Sequence, residues 1–108
     1  MRMYVYYPDV PEPAISEMLN YDYATMKDRI RYALFGGNVE HVSVLWTNPE
    51  TGRTQPADMF VDEDFREKNL PFNKSATEIY QAYAKSKGIP NDVSMLGIAV
   101  VFDRIIWS

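Results

Sequence analysis

The sequence predicts an α+β domain in which two helices cover one face of a four-stranded, mainly antiparallel sheet. Two observations carry this prediction. Some segments alternate apolar and polar side chains, as half-buried strands do, and others repeat apolar side chains every three or four residues, as helices do. Along the chain the order is strand, helix, strand, strand, helix, strand, which predicts a two-layer sandwich. The 108 residues suffice for one compact domain spanning 1–108.

The first third of the chain predicts a strand followed by an interrupted helical segment. Residues 2–7 are rich in aromatic and β-branched side chains, and the prolines that follow end the run. Pro13 then opens a helical region, since proline is tolerated in the first turn of a helix. Apolar side chains continue at helical spacing towards Gly36, and Asp22 could cap a second helix within this region.

The middle of the chain predicts a β-hairpin. Between residues 39 and 47, valines and a tryptophan alternate with His41 and Ser43, which places the two sets on opposite sides of a strand. The turn-rich segment 48–52 follows, and residues 56–62 resume an extended pattern. A charged connector then leads to the second helix.

The last third of the chain predicts the best-defined helix and a final strand. Within residues 70–88, Ser75 and Glu78 have the spacing of a capping box, and Gly88 can adopt the left-handed conformation that ends a helix. The continuous apolar run 96–102 predicts a strand that is buried on both faces or lies in the middle of the sheet.

The predicted order of elements, βαββαβ, is that of ferredoxin-like sandwiches, whose two helices leave the second face of the sheet open. A fold of this kind hosts many functions. Function therefore has to be argued from particular side chains.

Composition predicts a soluble, cytoplasmic protein with no cofactor. The chain has 46% hydrophobic and 24% charged residues, the balance of an ordinary folded domain. It contains no cysteine, which excludes disulfides and cysteine-ligated metals. The first residues are too few and too polar for a signal peptide, and no apolar run approaches the roughly 20 residues of a membrane span. The net charge of −4 argues against broad nucleic-acid binding, which depends on neutralising phosphates.

Three segments of the C-terminal half carry a resemblance to a known family. They are Phe60-Val61-Asp62-Glu63, then Leu70-Pro71 with Asn73 and Ala76-Thr77, and finally Gly97-Ile98-Ala99-Val100-Val101. From about Met59 onward, this pattern resembles that of the domain of unknown function 3846 family, which phages and plasmids encode. An insertion at 65–69 and the long tyrosine-rich helix depart from its shorter members. The resemblance implies a mobile-element origin and an accessory protein acting on host machinery, and it supplies no catalytic residues.

Acidic residues are densest around the end of the predicted hairpin. The cluster contains Asp58, Asp62, Glu63, Asp64 and Glu67. Carboxylates could ligate Mg²⁺ or Ca²⁺, but the segment lacks the glycine and the regular ligand alternation of an EF-hand loop, so a solvated connector is the preferred interpretation. Mimicry of nucleic-acid phosphates, by which a small phage protein can occupy a basic groove of a host enzyme, is an alternative.

Aromatic residues of the predicted sheet suggest a second kind of site. Tyr4 and Tyr6 alternate on the first strand, and Phe60 lies on the third. Modules that bind single-stranded nucleic acid on an open sheet face use aromatic side chains on these strands to stack on the bases. Asp58 and Asp62 flank the same strand and would repel phosphate. Packing at the sheet edge or contact with a partner protein is therefore the preferred interpretation.

The single histidine does not suggest an enzyme. His41 and Ser43 lie on one side of a strand, and strand geometry separates them by about 7 Å, which is too far for a direct hydrogen bond. A surface histidine is the preferred interpretation. No base, nucleophile and oxyanion site are predicted together.

The sequence therefore predicts a small non-enzymatic binding protein of phage or mobile-element type that engages and modulates a host protein. The alternative is a nucleic-acid-binding module that uses the open sheet face. The apolar cluster Ile105-Ile106-Trp107 could pack in the core or contact a second subunit, which makes a homodimer a further candidate assembly. The candidate interaction surface consists of Tyr4, Tyr6, Phe60, Asp58, Asp62, Glu63, Asp64 and Trp107.

Overall fold

A computed structural model gives the fold for residues 1–18, 22–90 and 93–104. In chain order its elements are β1 (Arg2–Tyr6), β2 (Ala14–Glu17), α1 (Tyr23–Ala33), β3 (Val39–Thr47), β4 (Thr54–Asp62), α2 (Lys74–Lys87) and β5 (Ala99–Phe102). Over these ranges the five strands form one antiparallel sheet in the order β2-β1-β5-β4-β3. The predicted α+β class with two helices and an antiparallel sheet is confirmed, and the predicted number of four strands is wrong.

The last strand lies in the middle of the sheet. Ala99 of β5 pairs with Tyr6 of β1 on one side and with Val61 of β4 on the other. All four residues of β5 are buried, as the continuous apolar run predicts. A ferredoxin-like arrangement would pair β1 directly with β4, and that part of the prediction is wrong because β5 separates the two strands.

The segment after Pro13 forms a strand where the sequence predicts a helix. β2 pairs with β1, placing Ala14 opposite Val5 and Glu17 opposite Arg2. Pro13 directly precedes this edge strand, where its missing N–H costs no hydrogen bond of the ladder. A strand of four residues depends on its neighbour in the sheet, which the local spacing of apolar residues does not reveal.

The two helices lie on opposite faces of the sheet. One buried cluster joins α2 to strand residues such as Tyr4, Trp46 and Met59, and the other joins α1 to residues such as Val5 and Phe60. The central strands β4 and β5 carry buried side chains on both of their faces, so each face needs its own cover. The prediction that both helices cover one face and leave the other open is therefore wrong.

Capping residues fix the ends of both helices. Asp22 caps α1 by accepting a hydrogen bond from the Thr25 amide at 2.9 Å, as predicted. Gly88 ends α2 with a left-handed φ of 67°, also as predicted. The N-cap of α2 is Asn73, so the predicted capping box that begins at Ser75 is wrong. No helix within the described ranges is both long and apolar enough to cross a membrane.

The Asn73 side chain joins α2 to β1 and to the segment before β5. It is fully buried, and its Nδ2 donates to the carbonyl oxygens of Tyr6 at 3.0 Å and Gly97 at 2.8 Å. Its Oδ1 accepts the Ala76 amide at 3.0 Å, which caps the helix. One amide group therefore connects the end of β1, the segment before β5 and the first turn of α2.

Replacing Asn73 with alanine leaves two buried carbonyl groups and one helix N–H without their partner. We expect Asn73→Ala to lower the free energy of unfolding by about 3 kcal/mol. Each buried group that loses its hydrogen bond has left water without gaining a partner in the protein. Ser75→Ala, two residues further on, is the matched control and should change it by less than about 0.5 kcal/mol. Urea unfolding followed by circular dichroism measures both values. Equal losses in the two variants would contradict the role given to Asn73.

Candidate functional site

The aromatic residues of the predicted interaction surface lie inside the protein. Tyr4 and Tyr6 are buried beneath α2, and Phe60 is buried on the side of α1. The Tyr6 hydroxyl accepts a hydrogen bond from Nε1 of Trp46 at 2.9 Å. These three side chains therefore do not form an exposed stacking surface for bases, and Trp107 lies outside the described residues.

Tyr4 has a structural contact at the tip of the β3–β4 hairpin. Its hydroxyl donates to the Glu50 carboxylate at 2.6 Å, and the Arg2 guanidinium donates to the same carboxylate at 2.6 Å. Burial, together with the negative charge of Glu50, raises the pKa of Tyr4 to about 12. The hydrogen bonds from Tyr4 and Arg2 lower the pKa of Glu50. Tyr4 therefore stays protonated near neutral pH and holds the hairpin turn against β1.

The predicted acidic cluster is divided between two buried carboxylates, each with a side-chain partner, and the surface. Asp58 is buried, and its Oδ1 lies 2.6 Å from Nε2 of His41. Asp62 is also buried and accepts hydrogen bonds from Nζ of Lys68 at 2.7 Å and from the Asp64 amide at 2.8 Å. Glu63 is exposed. No three carboxylate or imidazole groups converge to hold a metal ion in the part of the chain that the structure describes.

His41 is held by a carboxylate of the neighbouring strand. Asp58 pairs with Ser43 across β3 and β4, and its side chain reaches its own diagonal neighbour on β3, which is His41. A buried carboxylate requires a hydrogen-bonded partner, and the imidazole supplies one. The sequence did not predict this pair. The contact with His41 gives Asp58 a structural role in the sheet.

An apolar groove of about 630 Å³ lies at one end of the sheet. We call it the end groove. Its apolar lining includes Tyr7, Val10, Leu34, Phe35, Leu70 and Ile98. A groove of this size and composition has the character of a binding site for an apolar group.

The topology of the sheet brings four loops to this groove. β1 and β4 end there and β5 begins there, because β5 is antiparallel to both of its neighbours. The loops that follow β1, α1 and β4 and the segment that precedes β5 therefore meet at one place. At Gly97, with a φ of 81°, an added Cβ would lie 2.7 Å from Cδ1 of Leu70, so the close approach of two of these loops depends on glycine.

Phe35 occupies an unusual backbone position at the rim of the end groove. The Gly36 amide donates to the Arg31 carbonyl at 2.7 Å and the Phe35 amide donates to the Tyr32 carbonyl at 3.1 Å, which is the Schellman pattern of a helix end. In that pattern Phe35 holds the left-handed position, with a φ of 58°, where glycine is preferred. Its ring is nevertheless 85% exposed. Neither backbone preference nor packing within the described residues explains a phenylalanine here.

The polar rim of the end groove contains the ion pair of Asp62 with Lys68 and a separate carboxylate. Burial alone would raise the pKa of Asp62, but the hydrogen bonds from Lys68 and the Asp64 amide outweigh it, so the pKa is lowered. Asp9 also lines the groove and makes no ion pair with the residues that the structure describes. The rim therefore places the Asp9 carboxylate beside an apolar surface.

Sequence reasoning missed the residues that line this groove. Of the predicted surface residues that the structure describes, only Asp62 lies on it. Tyr7 and Val10 belong to a proline-rich loop, and Phe35 falls outside the apolar face of α1 directly before two glycines. The available signal in the sequence was Phe35 itself, an aromatic residue that lies off the apolar face of α1 and directly before the glycines that mark the end of the helix.

Comparison with known proteins gave no further assignment. No family model matches the chain, and no curated protein or solved structure matches it either. The resemblance to the domain of unknown function 3846 family therefore stays a prediction.

The ion pair at the rim predicts a pH dependence of stability. Because the folded pKa of Asp62 is lowered, its contribution to stability is complete above the pKa of the unfolded chain and is lost as pH falls through the folded value. We expect Lys68→Met to lower the free energy of unfolding at neutral pH and to flatten its decline below about pH 4.

Urea unfolding at a series of pH values from neutral to acid tests this expectation. Lys74→Met is the matched control, because Lys74 is 79% exposed and lies 3.9 Å from Glu78 on the helix surface. It should leave the pH profile unchanged. Identical profiles for the two variants would contradict a stabilising pair between Asp62 and Lys68.

Proposed function

We propose that this protein acts by binding, and that the end groove receives an apolar side chain of another protein. Phe35 carries the proposal. An exposed phenylalanine in a left-handed position that favours glycine costs about 1 kcal/mol of stability. A contact with a partner would account for that cost, since aromatic residues beside apolar grooves commonly carry much of the binding energy of an interface.

The charges at the rim favour a partner segment that combines apolar and basic side chains. Tyr7 and Val10 are exposed on one side of the groove and Phe35 on another, so an inserted side chain would contact apolar surface on both sides. Asp9 would then face a lysine or arginine next to the apolar anchor, and the net charge of −4 would favour the approach of such a segment.

The origin and partner expected from the sequence remain part of this proposal. The family resemblance supports a phage or mobile-element protein that modulates a protein of a bacterial host, in the host cytoplasm. A binding role fits a groove with apolar walls better than catalysis does, because His41, the one imidazole of the chain, does not line it. The nucleic-acid alternative loses support, since Tyr4, Tyr6 and Phe60 are buried.

Two substitutions distinguish an effect on binding at the end groove from an effect on the stability of the fold. Phe35→Gly should raise the free energy of unfolding by about 1 kcal/mol, because glycine adopts a left-handed φ without strain, and should also weaken capture of the partner. Val10→Lys places a charge in the groove at a side chain that is 47% exposed, and should weaken capture without loss of stability. Pull-down of tagged protein from bacterial lysate, with and without nuclease treatment, measures capture by mass spectrometry, and urea unfolding measures stability.

The chain provides controls of equal exposure outside the groove. Tyr32 is 86% exposed on α1, and Ile15 is 47% exposed on β2, so Tyr32→Ala and Ile15→Lys match the two test variants. A host protein retained by the wild type and both controls but lost from both test variants would support the proposal. Equal capture by all five proteins, or recovery that disappears on nuclease treatment, would contradict it.

A further inference from the structure

β3 forms a long edge of the sheet that the described residues build. It has nine residues and pairs with β4 on one side, and over the described ranges no strand pairs with its other side. The opposite edge is β2, which has only four residues. Backbone N–H and C=O groups along an unpaired edge are a template for another strand, and a longer edge offers more of them.

This edge lacks the features that usually prevent pairing. β3 contains no proline and no lysine, and Glu40 is its only acidic residue. β2 follows Pro13 and is short, so it has the protection that β3 lacks. The described residues thus leave one protected edge and one unprotected edge in the same sheet.

Half-buried apolar side chains continue from this edge onto the helix above it. Val42 on β3 and Tyr80 and Tyr83 on α2 pack against the core but remain partly exposed. Val42 and Tyr80 also line a groove of about 390 Å³. A strand added beside β3 would extend the sheet under this surface and bury more of it.

We propose that two copies of this chain pair along β3, antiparallel and centred on Ser43. The two sheets then form one continuous sheet across a two-fold axis, which is the symmetry of most protein dimers. An overlap of nine residues supplies roughly nine backbone hydrogen bonds, close to the number in a typical stable interface.

The side chains of β3 are compatible with this register. Val42 of one copy faces Val44 of the other, a β-branched pair of the kind that stabilises antiparallel strands. Glu40 faces Trp46, so no like charges lie directly opposite each other. Self-complementarity of this kind favours a second copy over the strand of an unrelated protein.

The natural chain has no cysteine, which makes single cysteine variants direct reporters of the register. At the two-fold axis the two Ser43 Cα atoms would lie about 5 Å apart, within the span of a disulfide. Ser43→Cys should therefore form a disulfide-linked dimer in mild oxidant. Thr47→Cys is exposed on the same strand but would lie about 26 Å from its copy, and should not form one.

Sedimentation equilibrium completes the test on the full chain. The wild type should be dimeric, and Ser43→Lys should raise the dimer dissociation constant by about tenfold, because two like charges would face each other. Ser16→Lys on β2 is the control and should leave it unchanged. A monomeric wild type, or equal cross-linking of Ser43→Cys and Thr47→Cys, would overturn the proposal. Neither result bears on the end groove, which contains no residue of β3.

Discussion

The fold depends on the hydrogen bonds of one buried amide, the side chain of Asn73. Two of its bonds end on carbonyl groups, one at the end of β1 and one in the segment before β5, and the third caps α2. An aspartate could cap the helix but could not donate to the carbonyls, and an alanine could do neither. Gly97 also lines the end groove, so the same amide holds one segment of the candidate site in place.

The family-like pattern of the C-terminal half acquires a structural meaning from this arrangement. Asn73 bonds to the amide of Ala76 and the carbonyl of Gly97, and Thr77 accepts the Met95 amide at 2.9 Å. The spacing of Asn, Ala, Thr and Gly in the sequence thus matches residues that meet in space. A pattern of this kind specifies how a helix docks on a sheet, and it indicates fold more directly than function.

Local patterns in the sequence predicted most of the helices and strands, but not which strands lie next to each other in the sheet. Strand alternation located β3 and β4, and the glycine after α2 marked the end of that helix. The order of strands was not predictable in the same way, because an apolar run such as β5 fits any central position. β2 was missed because its strand geometry comes from pairing with β1. Tyr4, Tyr6 and Phe60 were expected in an interaction surface, but α1 and α2 cover opposite faces of the sheet and these side chains are buried.

The candidate site was hidden from sequence reasoning for a related reason. Its apolar lining comes from four separate loops, and none of them carries a motif by itself. Phe35 is the exception, since a bulky aromatic in a left-handed, glycine-like position conflicts with local backbone preference. Sequences are expected to agree with their fold at most positions and to depart from it where another requirement acts. Among the described residues Phe35 combines backbone strain with nearly full exposure of an aromatic ring, which favours recognition of a partner as that requirement.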